Sequence, residues 1–220
     1  MAKKNLHLIE YSIVEEWFNR TTHALALLAS VVGFVWLMLV AVHTADPDRI
    51  VSSAVFGSCL CLFYLVSTLY HSFRSDRLRF LFRKLDHIGI YLLIASTYTP
   101  ITLVTLRDGN GWMIFYVVWG LALGGTIYKV FWVQTIPFLA PVLYIALGWL
   151  IIIDLKQLLE LMPGQGVNWL IAGGLAYTVG IVFYAIDLIP LNHGIWHLFV
   201  VAGSLCHYFT ILWYVIPLQG

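Results

Sequence analysis

Two histidines lie four residues apart within LNHGIWHLFV, residues 191–200, at the start of a long apolar stretch. In a helix, residues i and i+4 lie one turn apart on the same face, so His193 and His197 would present their imidazoles side by side. Neutral imidazoles are common ligands of zinc. The pair alone leaves two interpretations open, a metal site and two hydrogen-bonded histidines near a membrane interface.

A third imidazole and a carboxylate also lie at the ends of apolar stretches. His71 closes the segment STLYH, with Ser67 one helical turn before it, and Asp86 opens the segment DHIGIYLLI after a basic region. Three neutral imidazoles with one open coordination position form a zinc site of the catalytic type. Asp86 would accept a hydrogen bond from a zinc-bound water or hold the second nitrogen of a ligand, and Ser67 would support the site by hydrogen bonding.

The composition indicates which elements carry these residues. Hydrophobic residues make up 61% of the 220-residue chain and charged residues only 10%, which is too few to cover a soluble protein. About 20 apolar residues cross a bilayer as a helix. Runs of this kind predict an all-α integral membrane protein, a single domain over residues 1–220 that forms a seven-transmembrane helix bundle. The approximate spans are residues 21–45, 50–73, 87–106, 109–128, 130–153, 161–186 and 191–217.

Basic residues between the spans predict the orientation, because cytoplasmic loops carry an excess of Lys and Arg. If the N-terminus is cytoplasmic, that side holds Lys3, Lys4, Arg20, Arg74, Arg77, Arg79, Arg83, Lys84 and Lys129, and the other side holds only Arg49, Arg107 and Lys156. We therefore predict the N-terminus inside and the C-terminus outside. His71, Asp86, His193 and His197 then lie at similar depth near the inner leaflet, which favours a shared metal site.

The N-terminal segment, residues 1–20, would be cytoplasmic. Apolar residues at near-helical spacing favour a short interfacial helix over residues 5–17, and a frayed polar tail is the alternative. Polar residues then open the first span: Asn19, Thr21 or Thr22 would cap its helix. The alternative is that Glu16 or His23 lines the proposed site.

Two other polar residues of the last span have structural interpretations. Asn192 would cap its helix. His207 lies ten residues after His197, about 15 Å further along the helix, so it cannot bind the same ion. We expect His207 to be a buried hydrogen-bonding residue.

Together these motifs resemble a known family. Ser67-x-x-x-His71, Asp86 after a basic loop and His193-x-x-x-His197, within STLYHS, KLDHIGIYLLIASTYTP and NHGIWHLFVVAGSLCHY, resemble the haemolysin III family, the bacterial branch of the progestin and adiponectin receptor superfamily. The resemblance implies a zinc ion held by the three histidines, with Asp86 on the zinc-bound water. It also implies a cytoplasmic N-terminus and a bacterial plasma (inner) membrane as the location.

Three functions are compatible with such a site. The first is a metal-dependent hydrolase that uses zinc-activated water on a lipid amide or ester, as a ceramidase-like reaction requires. The second is a non-enzymatic receptor-like or membrane-homeostasis protein with structural zinc. The third is a pore-forming cytolysin, as the family name suggests. In the first two, a membrane lipid or fatty acid would occupy the helix bundle, whereas the net charge of +1 gives no reason to expect nucleic acid.

Overall fold

Seven long apolar helices run through the part of the chain that the computed structural model describes, residues 11–131, 139–186 and 188–218. Each is long and apolar enough to cross a membrane, which confirms the predicted all-α, seven-helix membrane architecture. They are α1 (Ile13–His43), α2 (Pro47–Tyr70), α3 (Asp76–Thr105), α4 (Gly111–Phe131), α5 (Leu139–Leu161), α6 (Gly164–Ala185) and α7 (Asn192–Val215).

The helix α3 lies at the centre of the bundle and has the largest buried share. It packs between α2 and α4, while α1 packs against α2 and α7, and α6 packs against α7. Close approach depends locally on glycine: a Cβ at Gly57 of α2 would lie only 2.1 Å from the ring of Phe34 in α1. The outer faces expose large apolar side chains, such as Trp36 at 60%, as expected of surfaces that contact lipid.

Irregular turns interrupt helices α3 and α5, and in α5 a neighbouring hydroxyl group is hydrogen-bonded to the backbone. Pro100, which lacks an N–H group, lies in α3 just before a π-helical turn over Ile101–Thr105. In α5, a 3-10 segment over Leu150–Asp154 follows Gly148, and the Tyr98 hydroxyl donates to the Gly148 carbonyl and accepts from the Ile151 N–H. Such partners allow irregular backbone at membrane depth, because lipid offers none.

Three helices extend well beyond the charge-free runs. Helix α1 begins at Ile13 instead of residue 21, α3 begins at Asp76 instead of residue 87, and α5 ends at Leu161 instead of residue 153. Charge-free runs mark only the part of a helix that crosses the hydrocarbon, whereas charged turns at the helix ends extend past it and long side chains reach the interface. Residues 13–17 of the expected interfacial helix open α1 directly, and residues 5–10 lie outside the described residues.

At the end of the bundle where α1 stops, Asp46, Arg49 and Arg107 form a group that we call the loop latch. Asp46 caps α2, and its Oδ2 accepts a hydrogen bond of 2.6 Å from Arg107 in the loop before α4. Arg49 donates to the backbone carbonyls of Val215 at 2.8 Å and Ile216 at 2.5 Å. The latch therefore joins the α1–α2 loop, the α3–α4 loop and the end of α7.

The latch predicts a pH-dependent contribution to stability. Burial alone would raise the pKa of Asp46, but the hydrogen bonds from Arg107 and from backbone N–H groups outweigh it and hold that pKa below its ordinary value. Such a carboxylate stabilises the fold above its unfolded-state pKa of about 3.9, and the contribution is lost as the pH falls through the folded-state value.

Asp46→Asn should therefore lower the free energy of unfolding by about 1 kcal/mol or less at pH 7, because Asn keeps the helix cap but loses the charge. The deficit should shrink as the pH falls from about 4 towards 2, where wild-type Asp46 becomes protonated. Thermal unfolding of the purified wild-type and Asp46→Asn proteins, at neutral pH and across this acidic pH range, measures the deficit. Asp48→Asn is the control, since Asp48 is 43% exposed and 3.8 Å from Arg107. An equal deficit at neutral and acidic pH would contradict the role of the charge.

Candidate metal centre

The three predicted histidines come together at the end of the bundle where α2 stops and α7 begins. His71 directly follows the last residue of α2. His193 and His197 lie in the first two turns of α7, which starts after Leu191 in the left-handed conformation at φ 59°. Asn192, expected as the cap, is instead the first helical residue, and its Oδ1 accepts a hydrogen bond of 2.7 Å from the His193 N–H.

His71, His193 and His197, which we call the histidine cluster, are buried and mutually close. One ring nitrogen of each lies within 4.8 Å of those of the other two. The Nε2 atoms of His193 and His197 are 3.1 Å apart. Within the described residues, the Nε2 of His71 has no hydrogen-bond partner. The cluster thus gathers three ring nitrogens: in the described part of the chain, the His71 Nε2 has no partner and the other two contact only each other.

This donor set fits a zinc ion. Two nitrogens bound to one tetrahedral zinc at about 2.0–2.1 Å lie roughly 3.3 Å apart, close to the His193–His197 separation. The remaining separations need only small side-chain movements towards a common centre. Zinc with three imidazole ligands keeps a fourth position for water or substrate. His71, His193 and His197 are therefore the residues that could hold the metal.

Asp86 lies in the third turn of α3, buried near His71. Ser67, which lies one turn before His71 in α2, is near Asp86. Its hydroxyl oxygen lies 2.7 Å from the Nδ1 of His23 in α1, which brings a fourth imidazole to the edge of the cluster. In the described parts of the chain, the cluster of mutually close ligand atoms contains the three histidines and not Asp86.

Helix α1 brings more residues to the site than the sequence analysis favoured. The helix begins at Ile13 and Ser12 caps it, so the interpretation of Asn19, Thr21 or Thr22 as the cap is wrong. Glu16, Asn19 and His23 instead share one face of α1 and point into the bundle. Glu16 Oε2 lies 2.7 Å from His71 Nδ1, and the His23 ring stacks on His197 at 3.7 Å between centroids.

A tyrosine outside the spans covers the cluster. The ring of Tyr11 lies 4.9 Å from His193 and 5.9 Å from His71. Burial raises the pKa of the Tyr11 phenol above its ordinary value, so the group stays neutral. No feature of the sequence around Tyr11 singled it out, because its contact with the cluster depends on how the chain enters α1.

An apolar cavity of about 90 Å³ lies near the cluster, lined by residues of α2, α3, α5, α6 and α7. Trp196 lines it and also packs on His193 and His197, with ring centroids 5.3 and 5.4 Å apart. His207 lines it about 16 Å further along α7. Its Nε2 donates to the Leu170 carbonyl at 3.2 Å, which confirms His207 as a hydrogen-bonding residue. Trp196 thus contacts both the cavity and two of the three histidines of the cluster, whereas the described lining of the cavity does not include the cluster histidines themselves.

Comparison with known proteins gives the family. The family model described as Haemolysin-III related matches residues 11–208, which include the whole histidine cluster and Asp86. The chain belongs to the haemolysin III family. Membership confirms the resemblance seen in the motifs, and with the seven apolar helices it makes the chain an integral membrane protein.

Relatives of this haemolysin III family chain extend beyond bacteria. It is 40% identical to Hemolysin-3 of Bacillus cereus over 217 residues, 99% of each chain. It is 30% identical to the Monocyte to macrophage differentiation factor of Homo sapiens over 209 residues, 90% of this chain and 83% of the relative. It is 25% identical to the Adiponectin receptor protein of Drosophila melanogaster over 225 residues, 91% of this chain and 51% of the relative. No solved structure matches the chain significantly.

Proposed function

We propose that this chain is a zinc-dependent hydrolase that cleaves an amide or ester bond of a membrane lipid. The observation that carries the proposal is one arrangement: three buried imidazoles with a buried carboxylate nearby, next to an apolar cavity. A purely structural metal site needs neither the carboxylate nor the cavity. A hydrolase that draws its substrate from the membrane needs both.

The roles of the side chains follow from their chemistry. Zinc held by three imidazoles supplies a water of lowered pKa and polarises a carbonyl oxygen. Asp86 accepts the proton of the attacking water as the water oxygen bonds to the carbonyl carbon. It then donates that proton to the leaving nitrogen or oxygen as the bond from the carbonyl carbon breaks. The products are a fatty acid and an amine or alcohol.

The cavity supports a lipid as substrate. Its lining is mostly aliphatic and aromatic, which suits an acyl chain. An acyl chain that fills the cavity would end beside Trp196, which packs on two of the histidines. Thr97, Thr178 and His207 add polar groups to the wall. A lipid or fatty acid is therefore the partner that we assign to the bundle.

The proposal includes a location in a bacterial plasma (inner) membrane with the N-terminus inside. Basic residues precede or open α3 at the end of the bundle that holds the histidine cluster: Arg74, Arg77, Arg79, Arg83 and Lys84. Such a bias is typical of cytoplasmic ends of membrane helices. The bacterial relative that matches over nearly its whole length supports this compartment.

Lipid hydrolysis in a defined membrane tests the proposal. The full chain is reconstituted with ceramides or phospholipids, and free fatty acid is measured by mass spectrometry. We expect release with zinc, loss of release after chelation, and recovery when zinc is returned. Membranes without protein give the background rate. Zinc-loaded protein that releases no fatty acid from either lipid class would contradict hydrolysis and favour the receptor-like alternative with structural zinc.

The name of the Bacillus cereus relative, Hemolysin-3, raises pore formation as a second candidate. The same reconstituted membranes separate the two. A pore should release an enclosed dye whether or not zinc is present, whereas the proposed hydrolase should retain the dye while it releases fatty acid.

A further inference from the structure

Glu16 contacts a proposed metal ligand from a helix that contributes none of the three. Its Oε2 lies 2.7 Å from the Nδ1 of His71. We propose that Glu16 is a positioning residue, which fixes the ring orientation and the tautomer of His71 so that its Nε2 faces the metal. The inference rests on the proposed zinc site, and it assigns to α1 a role in building that site.

The hydrogen bond determines which nitrogen of His71 is free. A carboxylate only accepts hydrogen bonds, so the ring proton lies on Nδ1, which donates to Glu16. The Nε2 atom then carries the lone pair. It is also the atom of the His71 ring that has no partner within the described residues. A carboxylate on the far nitrogen of an imidazole fixes the ring and makes the metal-binding nitrogen more basic.

His71 needs such support because of its place in the chain. It follows the last residue of α2, so the α-helix does not continue past it. Its neighbours in the next loop, Ser72 and Phe73, are outside any helix. His193 and His197, by contrast, lie within α7 and are held by its regular geometry. The ligand with the least local support is the one that Glu16 holds.

Glu16 is itself held in place. Its other oxygen, Oε1, accepts a hydrogen bond of 2.8 Å from Arg79 Nη2 in the first turns of α3. Its backbone lies in the first turn of α1, where the N–H of Glu16 donates to the Ser12 carbonyl at 2.9 Å. The carboxylate therefore connects the start of α1, the end of α2 and the start of α3. The His71 side chain is fully buried, whereas Glu16 is 24% exposed.

Zinc affinity of Glu16→Gln tests the inference, with Glu15→Gln as a matched control. The control makes the same change one residue earlier, about 100° away around the helix. Competition with a chromogenic chelator should show zinc binding about 10–100-fold weaker for Glu16→Gln and unchanged for Glu15→Gln. The cobalt-substituted protein should show an altered visible spectrum only for Glu16→Gln, a signature that a merely structural role would not change.

The outcomes separate this inference from the proposed function. Wild-type protein that binds no zinc would overturn both. Wild-type protein that binds zinc, with the same affinity and cobalt spectrum in both glutamine variants, would overturn the role of Glu16 alone. If Glu16→Gln does not fold, zinc affinity is measured for Arg79→Gln instead. The Glu16 carboxylate then lacks its hydrogen bond from Arg79, and zinc binding should weaken several-fold. Unchanged affinity in Arg79→Gln would overturn the inference as well.

Discussion

Replacing His197 by Gln should abolish stoichiometric zinc binding. Wild-type protein should hold about one zinc per chain, since three imidazoles and one open position satisfy one tetrahedral ion. Gln has a similar volume but is a poor zinc ligand. Loss of one of three ligands should weaken binding by more than the roughly 10–100-fold that loss of a supporting residue costs. Metal analysis of the purified protein and chelator competition both measure this.

The same variant should lose the stabilisation that zinc gives. Binding to the folded state alone stabilises it by RT ln(1 + L/Kd), where L is the free ligand concentration, so the unfolding temperature rises with the logarithm of that concentration. Added zinc should therefore raise the unfolding temperature of wild-type protein and leave that of His197→Gln unchanged. His207→Gln is the control on the same helix, since Gln keeps a donor for the Leu170 carbonyl. Full zinc occupancy in His197→Gln would show that the histidine cluster is not the metal site.

The histidine cluster could be predicted because its spacing and depth are properties of the sequence. A separation of four residues places His193 and His197 on one helix face whatever the packing of that helix. Loop charge then places His71 and Asp86 at the same end of the bundle. The structure brings all three histidines within reach of one ion. Neither step needs knowledge of how the helices rotate against each other.

The contribution of α1 could not be predicted in the same way. Glu15, Glu16 and Arg20 limit the charge-free run to residues from 21 onwards, so the sequence places the first two turns of α1 before the first span, in an interfacial helix or a polar tail. Which face of a helix turns inward depends on long-range packing, which one sequence does not reveal. A signal was nevertheless present: Glu16, Asn19 and His23 recur at helical spacing as one polar face, and a polar face at membrane depth usually faces the bundle interior.

That inward polar face is costly to bury. In the described parts of the chain, both side-chain polar atoms of Asn19 and the Nε2 of His23 are buried without a hydrogen-bond partner. An unsatisfied buried polar group costs about 1–3 kcal/mol. Asn19 and His23 lie beside Gly194 and His197, next to the metal ligands. The destabilising groups are thus concentrated at the proposed site, as expected where function and not stability selects the residues.

Replacing Asp86 by Asn should abolish lipid hydrolysis while zinc stays bound. Asn matches Asp in size and keeps an oxygen that can accept hydrogen bonds, but it cannot act as the base that takes up the proton. A side chain that transfers the proton in hydrolysis typically contributes about 10²–10⁴-fold to the rate. Fatty acid release in reconstituted membranes should fall by that factor, and metal analysis should still find about one zinc per chain.

Ser67→Ala separates the role of Asp86 from that of its surroundings. Ser67 lies near Asp86 and is hydrogen-bonded to His23 but contributes no acid or base, so its loss should lower turnover less than Asp86→Asn does. Loss of zinc from Asp86→Asn would instead make Asp86 a metal ligand and exclude it as the base. Unchanged turnover with zinc bound would show that hydrolysis does not need the Asp86 carboxylate, and would exclude Asp86 as the base.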